Sequence, residues 1–300
     1  MPVTHTTPWT ARQRAQVAAA GPARANIGPR LKTPPPAEEH VLRPVEVRRE
    51  RDSRFLVFAG IVLVALALGF KSELVAPNLV WGLGGGLLLV AGAALLPYLN
   101  VDRRLPPLEH FVPAALGALA VAGLAQMMAD WWKYALIALA FGIGFYAAAA
   151  LDYFHLRDQA KPGHLVVQES VMALGVAGLL LVVLTLNLDL PIRMGAIMLI
   201  SFLASYRSFR VLGRPMPPRR ALLFSVFVAQ LVTFFAWAMT VYLFFREGFF
   251  AVMLLLLWYV NRGIIRHTVE ETLTRNVIVE YGLFILLMGY LFYVSAQAPH

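Results

Sequence analysis

The sequence predicts an all-α fold: a polytopic integral membrane helical bundle of about nine transmembrane helices. Three observations carry this. Hydrophobic residues make up 59% of the 300 residues and charged ones 14%, more apolar surface than a soluble domain needs to bury. Nine apolar stretches follow one another from Phe55 onward. Several reach the ~20 residues that cross ~30 Å of hydrocarbon at 1.5 Å per residue. The connections between them alternate between Arg-rich and Arg-poor.

Residues 1–54 form a different region. Pro34-Pro35-Pro36 and scattered Ala, Thr and Arg give no apolar periodicity, so the segment reads as a disordered basic cytoplasmic tail. It has no apolar h-region and is not a cleaved signal peptide; the first span serves as an uncleaved anchor. Residues 55–300 form the transmembrane domain. Its spans fall at 55–72, 78–98, 110–129, 131–151, 165–186, 191–208, 221–245, 248–265 and 276–296. Turn signals at Pro77, Pro106-Pro107, Pro162-Gly163, Pro191 and Pro215 to Pro218 mark several boundaries. Trp81, Trp131, Trp132 and Tyr134 sit near span ends, as interfacial aromatics do. The boundary at Asp130, between the third and fourth spans, is the one most open to fusion.

Orientation follows from Lys and Arg. The tail and the connections holding Arg103 and Arg104, Arg157 and Lys161, Arg207 to Arg220, and Arg262 to Arg275 carry 22 of the 26 basic residues. The other side carries Lys71, Lys133, Arg193 and Arg246. Positive loops stay cytoplasmic, which places the N-terminus inside and the C-terminus outside, in a bacterial inner membrane.

Three matches recur near one offset of 111 residues: Arg104 to Pro107 with Arg214 to Pro218, His155-Leu-Arg-Asp158 with His267-Thr-Val-Glu270, and Val166 to Glu169 with Val277 to Glu280. They predict two parallel four-helix repeats, 55–160 and 165–272, plus an extra helix at 276–296. Chance similarity between hairpins is the plain alternative. Small residues every four positions (Gly82 and Gly86; Ala114, Ala118 and Ala122; Ala140, Gly144 and Ala148) make flat faces that let helices approach closely. They place the tight core in the first half.

Four sets of residues can carry chemistry. Asp152, His155 and Asp158 with His267, Glu270 and Glu271 form a cytoplasmic cluster of the residue types that ligate a metal or pass a proton; wet helix ends explain them as simply. Glu169 and Glu280 lie about a turn inside their spans, where a carboxylate marks an ion or proton site or complements a helix dipole. Gln230, Thr233, Trp237 and Thr240 share one helix face and, with Gln126 and Asn261, are candidates for a polar path; helix–helix glue is the simpler role. Arg207, Arg210, Arg214, Arg219 and Arg220 can bind anionic lipid head groups, though topology alone accounts for them.

The chain has no cysteine, which excludes disulfides, thiolate metal sites and a catalytic Cys. No Walker loop, His-Glu-x-x-His or Gly-x-Ser-x-Gly occurs; no cofactor and no nucleic-acid partner is expected. Three function classes remain. A transporter-like protein for a small solute or lipid ranks close to a scaffold or assembly subunit that recruits a protein partner or a second copy through its basic face. A lipid-modifying enzyme using the His/Asp/Glu cluster ranks behind.

Overall fold

The computed structural model describes residues 42–71, 80–99, 107–156, 162–186, 188–211, 216–242 and 247–297. Among these the chain is helical, with no strand. The helices are α1 (Leu42–Phe70), α2 (Val80–Leu99), α3 (Val112–Met127), α4 (Trp131–Leu156), α5 (Pro162–Thr185), α6 (Leu190–Val211), α7 (Pro218–Tyr242), α8 (Glu247–Val269) and α9 (Arg275–Gln297). A short 3-10 turn, Leu108–Phe111, precedes α3. Each apolar stretch in the sequence is one helix. Contacts divide the chain into residues 1–46 and 47–300. Of the first unit only 42–46, the opening of α1, is described, so the tail 1–41 lies outside the described residues. Helix α1 begins at Leu42, within the stretch expected to lack structure.

Proline and short polar turns set the boundaries. Pro113, Pro162, Pro191 and Pro218 all occupy first-turn positions, where a missing N–H costs nothing. Pro97 lies near the end of α2, which stops at Leu99. The boundary at Asp130 is real: Met128 turns extended after its N–H reaches Leu124 O, and α4 starts at Trp131. At the end of α8, Glu271 adopts φ 57°, a left-handed cap position that favours glycine.

Six helical segments among the described residues are long and apolar enough to cross a membrane: Leu108–Met127, Trp131–Leu156, Gly163–Thr185, Pro218–Val241, Glu247–Val269 and Arg275–Val294. Helices α1 and α2 contribute shorter apolar stretches, Arg54–Gly69 and Gly84–Leu99. Helix α6 is 22 residues long but carries Arg193, Arg207 and Arg210.

Helix α3 is the hub, with 72% of its apolar window buried. The largest core joins Leu116 and Ala120 of α3 to Met172 and Val176 of α5, Ile197 of α6, Val228 of α7 and Trp258 of α8. A smaller one joins Leu56 and Leu63 of α1 to Leu87 of α2, Ala118 of α3 and Phe145 of α4. A third joins Ala67, Val121, Ala125, Tyr134 and Ala138, so the first half, where the tight core was expected, holds the two smaller of three cores. The small-residue faces divide accordingly. Ala118 and Ala122 are fully buried, and a methyl on Gly84 would stand 3.1 Å from Ala122 Cβ, so α2 and α3 do pack closely. Gly82 and Gly86, by contrast, face open space. Ala114, Ala140, Gly144 and Ala148 instead line a groove between α3, α4, α5 and α8.

Helix α9 rests on α8. Only 6% of its apolar window is buried. Its buried Tyr281 sits over Gly263, whose missing Cβ leaves room for the tyrosine ring and hydroxyl.

Candidate functional site

Polar side chains from six segments meet at one end of the bundle: the 3-10 turn and the ends of α4, α5, α6, α8 and α9. Asp152, 1% exposed, is the centre. Arg207 Nη2 donates to its Oδ1 at 2.7 Å, and Gln168 Nε2 donates to the same oxygen at 2.6 Å. His110 Nδ1 lies 3.1 Å from Oδ2. Arg207 is itself fully buried, and its Nε and Nη1 have no acceptor among the described residues. Beside this group, Arg210 Nε donates to Glu109 Oε1 at 3.2 Å and its Nη1 to Met216 O at 2.9 Å.

A second group continues across α5 and α8. Glu169 accepts from Arg266 Nη1 at 2.5 Å and pairs with Arg262 Nη2 at 3.5 Å. Arg266 Nε also donates to Glu270 at 3.2 Å. Arg262 donates to Ser208 Oγ at 2.8 Å and lies over the rings of Trp258 and Tyr259. Trp258 Nε1 donates to Ser205 Oγ at 2.9 Å. The outcome is a matched set: arginines 207, 210, 262 and 266 against carboxylates 109, 152, 169 and 270. Such charges enter an apolar interior only when paired and hydrogen-bonded. Chemically the cluster is a clasp: guanidinium donors hold its carboxylates, and it ties four helices and the 3-10 turn together.

The sequence candidates distribute as follows. Asp152 and Glu169 are in the clasp, and Glu270 joins it through Arg266. His155 is partly buried a turn beyond Asp152, and Asp158 lies outside the described residues. His267 Nδ1 stands 2.8 Å from Thr272 Oγ1, and Glu271 is exposed. Of the two His-x-x-acid pairs, Glu270 is taken by Arg266 and Asp158 is outside the described residues; no group of three His, Cys, Asp or Glu able to hold a metal occurs among the described residues. Glu280 is exposed on α9 and accepts from Tyr259 Oη at 3.3 Å.

The candidate polar path does not assemble either. Gln126 and Gln230 are exposed. Thr240 Oγ1 donates to Ala236 O and Asn261 Nδ2 to Leu257 O, each at 2.8 Å within its own helix. Thr233 Oγ1 is buried without a partner among the described residues. Of the candidate lipid-binding arginines, Arg207 is enclosed by Asp152 and Arg210 is engaged by Glu109. Arg214 lies outside the described residues, and Arg219 and Arg220 are exposed at the start of α7.

Sequence reasoning missed Glu109, His110, Gln168, Ser205, Ser208 and Trp258, and took Arg262 and Arg266 as topological charge only. One signal was available: Arg207 and Arg262 each sit in an apolar helix, and an arginine there requires a partner.

Adjoining the clasp is an apolar groove of about 370 Å³ walled by α3, α4, α5 and α8. Its walls are largely small: Ala114, Gly117 and Ala120; Ala140 and Gly144; Gly175 and Gly178; Gly248 and Ala251. None of the candidate polar-path residues lines it.

No family model, curated protein or solved structure matches the chain. Fold and site therefore define a class only. By its apolar helices this is an all-helical integral membrane protein, with a buried ionic clasp at one end and a lateral apolar groove above it.

Proposed function

We propose that this protein handles a membrane lipid, binding one apolar chain in the groove between α3, α4, α5 and α8. This is the lipid branch of the transporter-like reading. The observation that carries it is the groove: at about 370 Å³ it falls within the size range of ligand sites, and its walls are apolar. A solute path has less support, because Gln126, Gln230, Thr240 and Asn261 face outward or bond their own helices. The enzyme reading has less support, because Asp152, Glu169 and Glu270 are each taken by an arginine.

The accompanying arrangement is nine spans with the N-terminus cytoplasmic and the C-terminus outside. Two features support it. The clasp gathers Arg207, Arg210, Arg262 and Arg266, all counted on the Arg-rich side, at one end, and Lys71, a cation of the other side, bonds carbonyls at the end of α3. Parallel duplication has support in packing: α2 lies on α3 as α6 lies on α7, and α4 lies on α5 as α8 lies on α9.

Native mass spectrometry of the full chain from mild detergent tests the function. Wild type carries a co-purifying lipid; Ala140→Trp, at an exposed mid-groove position, loses it with the fold intact. Lipid-free wild type, or a tryptophan variant that retains lipid, refutes the proposal. Because the chain lacks cysteine, single cysteines at Asp130 and Arg219 report orientation by impermeant labelling from each side.

A further inference from the structure

Helix α7 turns one face away from the bundle. Leu223, Phe227, Gln230, Phe234, Trp237 and Val241 follow one another at alternating steps of four and three, and all are exposed. That spacing is the 3.5-residue repeat of a coiled-coil seam, and it holds over roughly 27 Å of helix. The apolar members suit lipid as well as they suit another helix. Gln230 does not. It lies near the middle of the apolar segment Pro218–Val241, so its Cα stands roughly 16–18 Å from either end. Its short stem does not lift the carboxamide to water, as the long lysine and arginine stems can. Nor does the chain satisfy it. Ser225 and Thr240 on the same helix, and Asn261 on α8, each donate to a carbonyl of their own helix. Gln230 has no hydrogen-bond partner among the described residues, and the hydroxyl of Thr233, about a turn on, is buried and unbonded there. An amide left bare in hydrocarbon is costly, so its partner comes from outside the chain.

We infer that this partner is a second copy of the chain, docked through the same face of α7 about a two-fold axis along the membrane normal, with the two Gln230 carboxamides paired. Symmetry argues for this occupant. Copies inserted in one orientation carry Gln230 at one depth, and a two-fold axis beside it brings the two side chains together. A carboxamide is self-complementary, because each NH2 can donate to the other's oxygen. Lipid chains offer no acceptor at this depth, and an unrelated helix would need a polar residue at the same level. Between Leu223 and Val241 the helix carries no charge to oppose a like surface. Arg219 and Arg220 lie before the face, in the first turn of α7, where water and head groups screen them. The repeat also sets the crossing: a left-handed pair at about +20°, with Phe227 and Phe234 packing about a turn to either side of the amides.

The test uses the full chain in phosphatidylcholine vesicles, with the dimer fraction read by single-molecule photobleaching across protein-to-lipid ratios. Wild type is expected to dimerise and to dissociate on dilution in lipid. Gln230→Leu is expected to weaken the dimer about 3- to 30-fold, the range of an interhelical polar pair in a membrane. Gln230→Asn keeps an amide and is expected to lose less. Because the chain lacks cysteine, Phe234→Cys is expected to cross-link two copies with copper–phenanthroline. Leu286→Cys, exposed at mid-span on α9, is expected not to. Wild type that stays monomeric at every ratio overturns the inference. So does a dimer that Gln230→Leu leaves unchanged, or cross-linking at Leu286 without cross-linking at Phe234. A different protein held on the chain and released by Gln230→Leu, seen by native mass spectrometry, assigns the face to that protein and also overturns it. None of these outcomes bears on the groove, whose lipid is read separately in wild type and Ala140→Trp.

Discussion

The two ends of the bundle hold buried cations in different ways. At the clasp end, Arg207, Arg210, Arg262 and Arg266 are neutralised by carboxylates on other segments of the chain. At the remote end, among the described residues, Lys71 and Arg193 use no acid, and the exposed Lys133 pairs only with Asp130 three residues before it. Lys71 Nζ donates to Ala125 O at 3.0 Å and to Met128 O, at the C-terminus of α3. Arg193 Nη2 donates to Leu186 O at 3.4 Å and Leu188 O at 3.2 Å, just past the end of α5. Helix C-termini expose unpaired carbonyls and partial negative charge, so backbone replaces carboxylate. A cation against a full charge is held by a strong, desolvated pair; a cation against a dipole end is held weakly and at a wetter position.

The contrast can be broken by removing one partner at each end. Asp152→Ala leaves Arg207 buried without its carboxylate and is expected to destabilise by about 3–5 kcal/mol in equilibrium unfolding with SDS. Asp152→Ala with Arg207→Met removes both charges and should recover most of that loss. Equal destabilisation in the single and double variants would show that the clasp does not act as a charge pair. Lys71→Met removes a cap and not an ion pair. Its expected cost is about 1–2 kcal/mol in the same assay, and a loss as large as that of Asp152→Ala would erase the distinction between the ends.

Smaller effects sharpen the picture. Glu271→Gly relieves a left-handed backbone at the end of α8 and should stabilise by roughly 1 kcal/mol; unchanged or lower stability would mean its side chain contributes more than the strain costs. The pair Arg219→Gln and Arg220→Gln lies outside the clasp. It should leave stability within about 0.5 kcal/mol while weakening binding to anionic vesicles by about 1 kcal/mol per arginine. A stability loss comparable to that of Asp152→Ala would extend the clasp to residues that the structure leaves exposed.

Helix positions were legible in the sequence because apolar length and proline are local signals. Pro162, Pro191 and Pro218 open helices where they were read as boundaries, and even the short break at Asp130 holds. The clasp was only half legible. Asp152 and Glu169 stood out as ionisable groups in apolar helices, but their partners Arg207 and Arg262 lie far along the chain, and no local periodicity encodes that choice. The sequence offered a candidate metal or proton cluster there; among the described residues Asp152, Glu169 and Glu270 are paired with arginine. Gln230 and Asn261 were misread for a related reason: a polar residue on an apolar helix can turn outward or bond its own backbone, and pattern alone does not distinguish these from a shared path. The small-residue faces erred differently. Alanine and glycine permit close approach, and they also wall the groove, as Gly144 and Ala148 do.

The clasp also has an order in time. In each of its long-range pairs the acid precedes the arginine in the chain: Glu109 before Arg210, Asp152 before Arg207, and Glu169 before Arg262 and Arg266. Chains emerge from the ribosome N-terminus first. When the arginine-bearing α6 leaves the ribosome, carboxylates that can receive it have already been synthesised, and the same holds for α8. A helix too charged to enter lipid alone thus meets an acceptor assembled ahead of it.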